Sequence, residues 1–372
     1  MPEDLLQNIR PVLLMGPGPS PVCEAAYAAL GKPTLGHLDP YFIRIMDAIK
    51  EHLRQIFHTK NEMTLTISGT GSSGIEACFV NLVEPGDRVL ILANGVFGKR
   101  QQDMAVRLGA RVDVLDVAWG EPLLPDAVKK KLAGSAYDVV SMVHAETSTG
   151  VRNPVEEISP LVKSTDSLFI VDCVTSLGCI PVDVDRWEAD AACSCSQKGL
   201  SCPPGLAPIT LSARAMAKVK GRKSRVSNFY MDMTALTTYW EGDSRAYHHT
   251  APSNMYYALY AALREFLREG EDKVFSRHLD THAMLVRELG EMGLTLSVAA
   301  PHRLPQVNVV GIPEGVDDEQ VRSRLLNEYR IEIGAGLGAL AGKVWRIGLM
   351  GHGARRENVE KLLDAMRRIL GR

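Results

Sequence analysis

Three groups of polar residues follow short apolar segments, and their chemical types would suit one charged ligand. Gly69-Thr70-Gly71-Ser72, Asp172 and Gln197-Lys198 each come directly after an apolar run. A lysine or an aspartate at the end of a buried strand needs a partner, because burying an unpaired charge is costly. Glycines let backbone N–H groups approach a phosphate. A cofactor with an aldehyde, a pyridine nitrogen and a phosphate would satisfy all three groups.

Pyridoxal 5'-phosphate (PLP) has these three features, which makes Lys198 and Asp172 the candidate catalytic residues. A lysine amine forms the Schiff base with the aldehyde and later moves a proton between carbon atoms. A carboxylate beside the ring nitrogen keeps it protonated, so that the ring accepts electrons. Each residue also has a plain structural explanation, since most lysines are solvated and an aspartate can cap a local turn.

The elements that position these residues are predicted from hydrophobic patterning. Short apolar runs alternate with amphipathic stretches, which indicates a largely parallel sheet with helical crossovers. The predicted strands are 64–67, 88–92, 111–115, 138–143, 167–171, 191–195 and 207–211. The predicted helices between them are 74–83, 99–108, 125–132 and 155–163. In such a sheet, ligands bind outside the carboxyl ends of the strands.

The pattern changes after about residue 255. Long helices are predicted over 255–268 and 273–292, followed by apolar strands near 307–310 and 344–347 and a final helix over 356–370. We therefore expect an N-terminal arm (residues 1–20), a large cofactor-binding domain (21–255) and a small C-terminal domain (256–372).

Composition narrows the classes of function. The net charge of −2 provides no field that would attract nucleic acid or an acidic membrane. The acidic start, Met1-Pro2-Glu3-Asp4, has no secretory pattern, and no apolar run reaches membrane-spanning length. An odd count of seven cysteines favours reduced thiols over disulfides. We expect a cytoplasmic protein that binds neither nucleic acid nor membrane.

No metal site is expected. Cys193, Cys195 and Cys202 lack a nearby fourth ligand, so core packing explains them better than zinc does. His248 and His249 are adjacent, and adjacent side chains on regular structure point apart.

The glycine turn also matches a dinucleotide-binding fingerprint, Gly69-x-Gly71-x-x-Gly74. That reading would make the chain an NAD-dependent oxidoreductase. The next predicted strand ends in Leu92-Ala93-Asn94-Gly95, which has no acidic residue to bind a ribose. The oxidoreductase interpretation also leaves Lys198 and Asp172 without a role.

Eight short motifs occur in order along the chain and carry a resemblance to a known family. They are Leu14-Met15-Gly16-Pro17-Gly18-Pro19-Ser20, Ser68-Gly69-Thr70-Gly71-Ser72, Glu84-Pro85-Gly86-Asp87, Ser148-Thr149-Gly150, Val171-Asp172, Ser196-Gln197-Lys198, Tyr247-His248-His249-Thr250 and Arg346-Ile347-Gly348. Together they resemble the class V aminotransferases of PLP fold type I, specifically the alanine–glyoxylate/serine–pyruvate group. The resemblance runs from Leu14 to the final helix. It implies an α/β fold in which a large, mostly parallel seven-stranded sheet has helices on both faces, with a smaller α+β C-terminal domain.

The resemblance also implies residue roles. Lys198 would form the Schiff base, Asp172 would pair with the ring nitrogen, and Arg346 would bind the substrate carboxylate. The other implied cofactor-binding residues are Gly69, Thr70, Gly71 and Ser72 at the phosphate, Phe97 and Val174 at the two faces of the ring, Thr147 near the ring hydroxyl, and Gln197 beside the turn. Phe97 stands where this group often has tryptophan, and Ser72 where a relative may carry histidine.

Tyr247 and Thr250 match residues that reach the phosphate in the neighbouring subunit, which implies a homodimer with shared active sites. The expected activity moves an amino group from alanine or serine to glyoxylate or pyruvate by a ping-pong mechanism. Ureidoglycine–glyoxylate transfer is the alternative, and Asn254 is either an amide for a polar substrate or a helix N-cap. A desulfurase or lyase is disfavoured because no cysteine follows Cys202, and a PLP-binding regulator because no DNA-binding segment is present.

Overall fold

The computed structural model describes residues 4–242 and 244–371. Residues 1–3 of the predicted N-terminal arm, and most of the acidic start, therefore lie outside the described residues. The strands are β1 (Leu13–Leu14), β2 (Met63–Ser68), β3 (Arg88–Ala93), β4 (Arg111–Asp116), β5 (Val139–Val143), β6 (Ala145–Glu146), β7 (Val151–Arg152), β8 (Leu168–Asp172), β9 (Ala191–Cys193), β10 (Leu206–Leu211), β11 (Val307–Gly311), β12 (Ile331–Glu332), β13 (Gly334–Ala335) and β14 (Val344–Gly348).

The α-helices are named in the same way. They are α1 (Glu24–Leu30), α2 (Pro40–Ile56), α3 (Gly71–Leu82), α4 (Val96–Arg107), α5 (Pro125–Ala133), α6 (Val155–Lys163), α7 (Ala213–Lys220), α8 (Met233–Trp240), α9 (Ser253–Glu269), α10 (Glu271–Glu291), α11 (Asp318–Tyr329) and α12 (Arg356–Leu370).

The described residues form a central seven-stranded sheet in the order β2-β10-β9-β8-β5-β3-β4. Every neighbouring pair from β9 to β4 is parallel, whereas β10 is antiparallel to both β9 and β2. In the inner strands β5, β8 and β10 every residue is buried. Because successive side chains of a strand point to opposite faces, both faces of the sheet are covered. The prediction of an α/β fold with a mostly parallel seven-stranded sheet is confirmed.

The direction of the strands brings the three polar groups to one edge. β2 and β9 are both antiparallel to β10, so β2 runs in the same direction as β9 and its parallel neighbour β8. Their carboxyl ends therefore share one edge of the sheet. Asp172 is the last residue of β8 rather than the first residue after it.

A second apolar cluster lies outside this sheet. It packs α10, α11 and α12 against a small sheet in the order β11-β14-β13, with Trp345 of β14 fully buried. Helix α9 contributes its buried face to the larger cluster, together with α1 and α2. The division into domains at residues 20 and 255 stays a proposal.

The N-terminal segment connects the two clusters. β1 pairs with β12 in parallel, and the amide of Gly348 in β14 donates to the carbonyl of Met15. Five residues later, the amide of Ser20 donates to the carbonyl of Gln197 beside the candidate lysine. The segment 15–20 therefore crosses from the small sheet to the carboxyl edge of the large one.

All seven cysteines are buried free thiols. Within the described ranges, no helix is long and apolar enough to cross a membrane, and no three or more His, Cys, Asp or Glu side chains are grouped as metal ligands.

The buried Asp190 carboxylate ties the start of β9 to its surroundings. It accepts hydrogen bonds from the backbone N–H of Phe169 (2.9 Å), from Ser212 Oγ (2.8 Å) and from the Arg214 guanidinium. We predict that Asp190→Asn lowers the free energy of unfolding by about 2–3 kcal/mol, the scale of hydrogen bonds to a charged group. Urea unfolding measures this effect.

Asp116→Asn is the matched control. Asp116 also pairs with a basic side chain, Lys99, but both side chains are largely exposed. An exposed pair contributes at most about 1 kcal/mol. An equal loss in both variants would contradict a special role for Asp190.

Candidate active site

A cleft at the carboxyl edge of the large sheet gathers most of the predicted site residues. It encloses about 750 Å³ including open solvent. The predicted residues that line it are Thr70, Gly71, Ser72, Phe97, Thr147, Asp172, Val174, Gln197 and Lys198. Gly69 precedes this lining at the end of β2, and Arg346 contacts it through Thr147.

Asp172 presents a buried carboxylate to the cleft with a hydrogen-bond donor on each oxygen. The N–H of Val174 donates to Oδ1 (2.9 Å), and Gln101 Nε2 donates to Oδ2 (3.3 Å). Burial raises the pKa of Asp172 to about 6, although these two donors and the Lys198 charge act in the opposite direction. The carboxylate is therefore a strong binding site for a cationic or N–H-bearing ligand.

Hydrogen bonds hold both the backbone and the side chain of Lys198. Its carbonyl accepts hydrogen bonds from Ser20 Oγ (2.6 Å) and from the N–H of Ser201 (3.1 Å), and its Nζ donates to the carbonyl of Pro17. Burial lowers the pKa of Lys198 below its ordinary value, which favours the neutral, nucleophilic amine.

Gly18 makes room for this lysine. A Cβ at Gly18 would lie 2.6 Å from Lys198 Cε, and its φ of +116° is unfavourable for other residues. The N-terminal segment can therefore pass directly over the lysine side chain only with glycine at this position.

The glycine turn places the start of α3 in the cleft. Thr70 is the N-cap and makes no side-chain cap bond, so the first N–H groups of α3 have no acceptor from the cap side chain. A Cβ at Gly71 would lie 3.0 Å from Val174 Cγ2, which explains glycine where the turn packs against that side chain. Gln197 Oε1 is buried without a hydrogen-bond partner among the described residues.

Phe97 and Thr147 line the remaining walls. Phe97 lies in the first turn of α4, and the Arg100 guanidinium carbon is 5.0 Å from the centroid of its ring. Thr147 is buried, and its hydroxyl lies 3.1 Å from that of Thr175.

Arg346 is a buried cation without a carboxylate partner among residues 4–242 and 244–371. Its side chain donates to the carbonyls of Ala335 (2.7 Å) and Thr147 (3.4 Å), and only 8% of the residue is exposed. Burial lowers its pKa, and Glu146 is the acidic group that opposes this effect. A buried guanidinium with backbone partners alone favours an anionic ligand.

Sequence reasoning missed Glu146, which organises the wall that carries Phe97. One oxygen accepts from the N–H groups of Phe97 (3.1 Å) and Gly98 (3.3 Å), and the other accepts from the N–H and hydroxyl of Ser148. Gly95, the N-cap of α4, has no side chain to cap the helix, so Glu146 supplies the acceptor. Burial raises the pKa of Glu146. Its only sequence signal is a single Asp, Glu, Lys or Arg residue in the segment 139–151.

Three further residues from the sequence analysis lie away from the cleft lining of their own chain. Tyr247 and Thr250 are exposed, with their hydroxyl oxygens 3.4 Å apart. Asn254 is neither the N-cap of α9, which is Pro252, nor a cleft residue. Its amide instead donates to the carbonyls of Leu30 and Lys32.

The expectation that His248 and His249 point apart is wrong. Their Nδ1 atoms lie 2.8 Å apart in a hydrogen bond. Both residues lie outside helices and strands, so the alternation of a regular strand does not apply to them.

The cleft fits PLP by the chemistry of its groups. It offers an amine at Lys198, a buried carboxylate at Asp172 and uncapped N–H groups at the start of α3. The unpartnered Gln197 Oε1 provides one further acceptor. The amine, the carboxylate and the N–H groups match the aldehyde, the pyridine nitrogen and the phosphate of PLP.

Comparison with known proteins places this arrangement in one family. The model of the class-V aminotransferase family matches residues 24–362. The crystal structure of an alanine–glyoxylate aminotransferase from Nostoc sp. is 45% identical, with a TM-score of 0.96 over 100% of this chain and 97% of that one. The ureidoglycine–glyoxylate aminotransferase structure from Bacillus subtilis is 38% identical, with a TM-score of 0.95 over 97% and 93%. The Drosophila melanogaster alanine–glyoxylate aminotransferase is 38% identical over 95% of this chain and 91% of its own length.

The raised pKa of Asp172 makes a prediction about stability in the absence of ligand. Because the folded-state pKa of about 6 exceeds the ordinary value, the folded protein holds this proton more tightly than the unfolded chain does. Ionising Asp172 therefore costs stability above pH 6, and the cost disappears below about pH 4. Asp172→Asn should stabilise the cofactor-free protein by about 2–3 kcal/mol at pH 7.5 and much less at pH 4.

Urea unfolding of the cofactor-free protein at both pH values measures this difference. Asp166→Asn is the control, because Asp166 is exposed just before the same strand and should change little. A variant at Asp172 that is less stable than the original at pH 7.5 would contradict the prediction.

Proposed function

The chain belongs to the class V aminotransferases, and from that premise we propose that it transfers the amino group of alanine or serine to glyoxylate or pyruvate. The solitary buried guanidinium of Arg346, beside a cleft that contains Lys198 and Asp172, carries this proposal. Both substrates of such a reaction have a carboxylate next to the reacting carbon, so one guanidinium serves both.

The protein uses PLP as its cofactor. When bound, PLP supplies the aldehyde that takes up the amino group and a ring that withdraws electrons from the reacting carbon. We assign the surrounding tasks to this chain's residues. Lys198 binds the cofactor covalently and moves the proton at the reacting carbon, which its lowered pKa favours. Asp172 holds the proton on the ring nitrogen.

The other predicted residues bind and orient the cofactor. Gly69 and the turn formed by Thr70, Gly71 and Ser72 would hold the phosphate at the start of α3. Phe97 and Val174 would pack against the ring, while Thr147 and Gln197 would donate or accept hydrogen bonds at its edge. The support is their position in the cleft lining, next to the catalytic pair. Phenylalanine keeps the stacking surface of a tryptophan without its indole N–H.

A small monocarboxylate donor is favoured because no second downstream arginine stands in a motif comparable to that of Arg346. Arg100 does line the cleft, but its guanidinium lies over the Phe97 ring. Ureidoglycine remains the alternative donor, since the Bacillus subtilis relative named for that substrate is 38% identical over 96% of this chain.

Arg346→Lys tests the shared carboxylate site. Lysine cannot reproduce a paired planar contact, so both half-reactions should lose about 1.5–3 kcal/mol, or roughly ten- to a hundredfold in the specificity constant. Single-turnover kinetics would follow alanine, serine, ureidoglycine and glutamate with the PLP form of the enzyme, and glyoxylate and pyruvate with its aminated form.

The control is Arg222→Lys, since Arg222 also donates to backbone carbonyls but lies away from the cleft. Both of its half-reactions should remain essentially unchanged. If Arg346→Lys slows only one half-reaction, the proposal that Arg346 binds the carboxylates of both substrates is wrong. If glutamate is the best donor, the small-donor proposal is wrong and Arg100 becomes the candidate for the second carboxylate.

We also propose a homodimer with shared active sites that works in the cytoplasm. Tyr247 is 60% exposed, and the centroid of its ring lies 4.7 Å from that of His37. Leu38 and Tyr41, which follow His37 closely in the sequence, are also exposed apolar side chains. A second copy of the chain would cover this surface and bring Tyr247 and Thr250 to the neighbouring phosphate. Free buried cysteines support a reducing compartment.

Subunit mixing tests the shared site. In a heterodimer of Lys198→Ala and Tyr247→Ala subunits, one site would carry both defects and the other would carry neither. Random mixing should therefore restore about a quarter of the original activity from two weakly active parents. Activity after mixing, with the heterodimer fraction measured by native mass spectrometry, checks this.

The control mixes Lys198→Ala with Asp172→Asn subunits. Both residues line the cleft of their own chain, so no heterodimer site would be intact. Recovery in the control as well, or a fully active monomer in sedimentation, would overturn the proposal.

A further inference from the structure

Gln101 is a buried amide that contacts the candidate catalytic carboxylate, and the proposed function gives it no role. Only 1% of the residue is exposed, and it lies in α4. Its Nε2 donates to Asp172 Oδ2 over 3.3 Å. The N–H of Val174 donates to the other oxygen. Among the described residues, Gln101 therefore supplies the side-chain hydrogen bond to this carboxylate, and Val174 supplies the backbone one.

Ser141 anchors the end of the Gln101 amide that does not meet Asp172. Its hydroxyl, fully buried in β5, donates to Gln101 Oε1 over 2.8 Å. An amide has one end that donates and one that accepts. An ionised carboxylate only accepts, so Asp172 requires the NH₂ end of the amide, and the serine hydroxyl donates to the Oε1 end that remains.

Helix α4 fixes Gln101 and Phe97 as one unit. The two residues are four positions apart, so they lie on the same face of the helix. Glu146 holds the first turn of this helix through the N–H groups of Phe97 and Gly98. Helix α4 is therefore the common support of two groups. Phe97 would pack against the cofactor ring, and Gln101 donates to Asp172.

We propose that Gln101 is a positioning residue that keeps the Asp172 carboxylate ionised and in a single orientation, with Ser141 anchoring its amide through Oε1. This inference rests on the role assigned to Asp172 under the proposed function. A neutral donor suits the task, because a cationic one would compete with the ring nitrogen for the same carboxylate.

Other charged or titratable groups face Asp172 and must be separated from the effect of Gln101. They are Lys198 from the loop after β9, Glu146 from β6, and the thiols of Cys173, Cys193 and Cys195. Lys198 lowers the pKa of Asp172, whereas a charge on Glu146 or on a thiol opposes its ionisation. None of these groups is altered by a substitution at Gln101 or Ser141.

The test measures the pKa of Asp172 in the full-length, cofactor-free protein. Carboxyl infrared spectra of ¹³C-aspartate-labelled protein, assigned by difference from Asp172→Asn, would be followed from pH 4 to pH 8. Gln101→Met keeps the size of the side chain and removes its donor, so the pKa of Asp172 should rise by about one unit. Gln102→Met is the matched control, since Gln102 is the adjacent glutamine of the same helix and is not part of the cleft lining.

A double-mutant cycle tests the part played by Ser141. Ser141→Ala should raise the pKa of Asp172 in the same direction by a smaller amount. The Gln101→Met/Ser141→Ala double variant should match Gln101→Met alone, because the serine acts through the glutamine. If the two substitutions shift the pKa of Asp172 additively, the inference that Ser141 acts through Gln101 is overturned. Ser141→Ala leaves Gln101 in place, so it also carries the test if Gln101→Met does not fold.

A kinetic measurement separates this inference from the proposed function. In the holoenzyme, Gln101→Met should lower kcat, with the KM for the amino donor little changed, since Arg346 is untouched. No shift in the pKa of Asp172 beyond that in Gln102→Met would overturn the inference alone. Near-normal turnover in Asp172→Asn would instead overturn the role assigned to Asp172.

Discussion

The candidate active site depends on the negative charge of one buried carboxylate, that of Asp172. Burial works against this charge and raises its pKa to about 6. The protein opposes burial with the N–H of Val174, the amide of Gln101 and the nearby charge of Lys198. The arrangement costs stability in the absence of a ligand, and a cationic group bound at the carboxylate would offset that cost.

The same principle extends to the other buried charges around the cleft. Arg346 donates only to backbone carbonyls, whereas Glu146 is surrounded by donors from α4 and Ser148. The carboxylate of Glu146 is thus used within the protein, and the guanidinium of Arg346 is left for a ligand. Thr147 joins the two, since it follows Glu146 in the chain and its carbonyl accepts from Arg346. A substrate carboxylate would bind next to the support of the ring-packing helix.

The N-terminal segment couples the two parts of the chain at this point. It pairs with β12, accepts a hydrogen bond from Gly348 of β14 in the small sheet, and then bonds to Gln197 and Lys198 at the edge of the large sheet. Glycine at position 18 permits this close approach to the lysine. Any movement of the two apolar clusters relative to each other would therefore be transmitted to Lys198 through this short N-terminal segment.

The sequence by itself determined the seven strands of the large sheet, the order of the motifs and the identity of Lys198, Asp172 and the glycine turn as candidates. Apolar runs predict buried strands, and polar residues after parallel strands must meet at one edge of the sheet. The tertiary structure alone decided the hydrogen bonds of Gln101, Ser141 and Glu146 and the contact between His248 and His249. Gln101 and Asp172 are 71 residues apart, and Ser141 and Gln101 are 40 apart. Hydrogen bonds over such separations depend on how a helix packs on a sheet, which no local pattern of residues encodes.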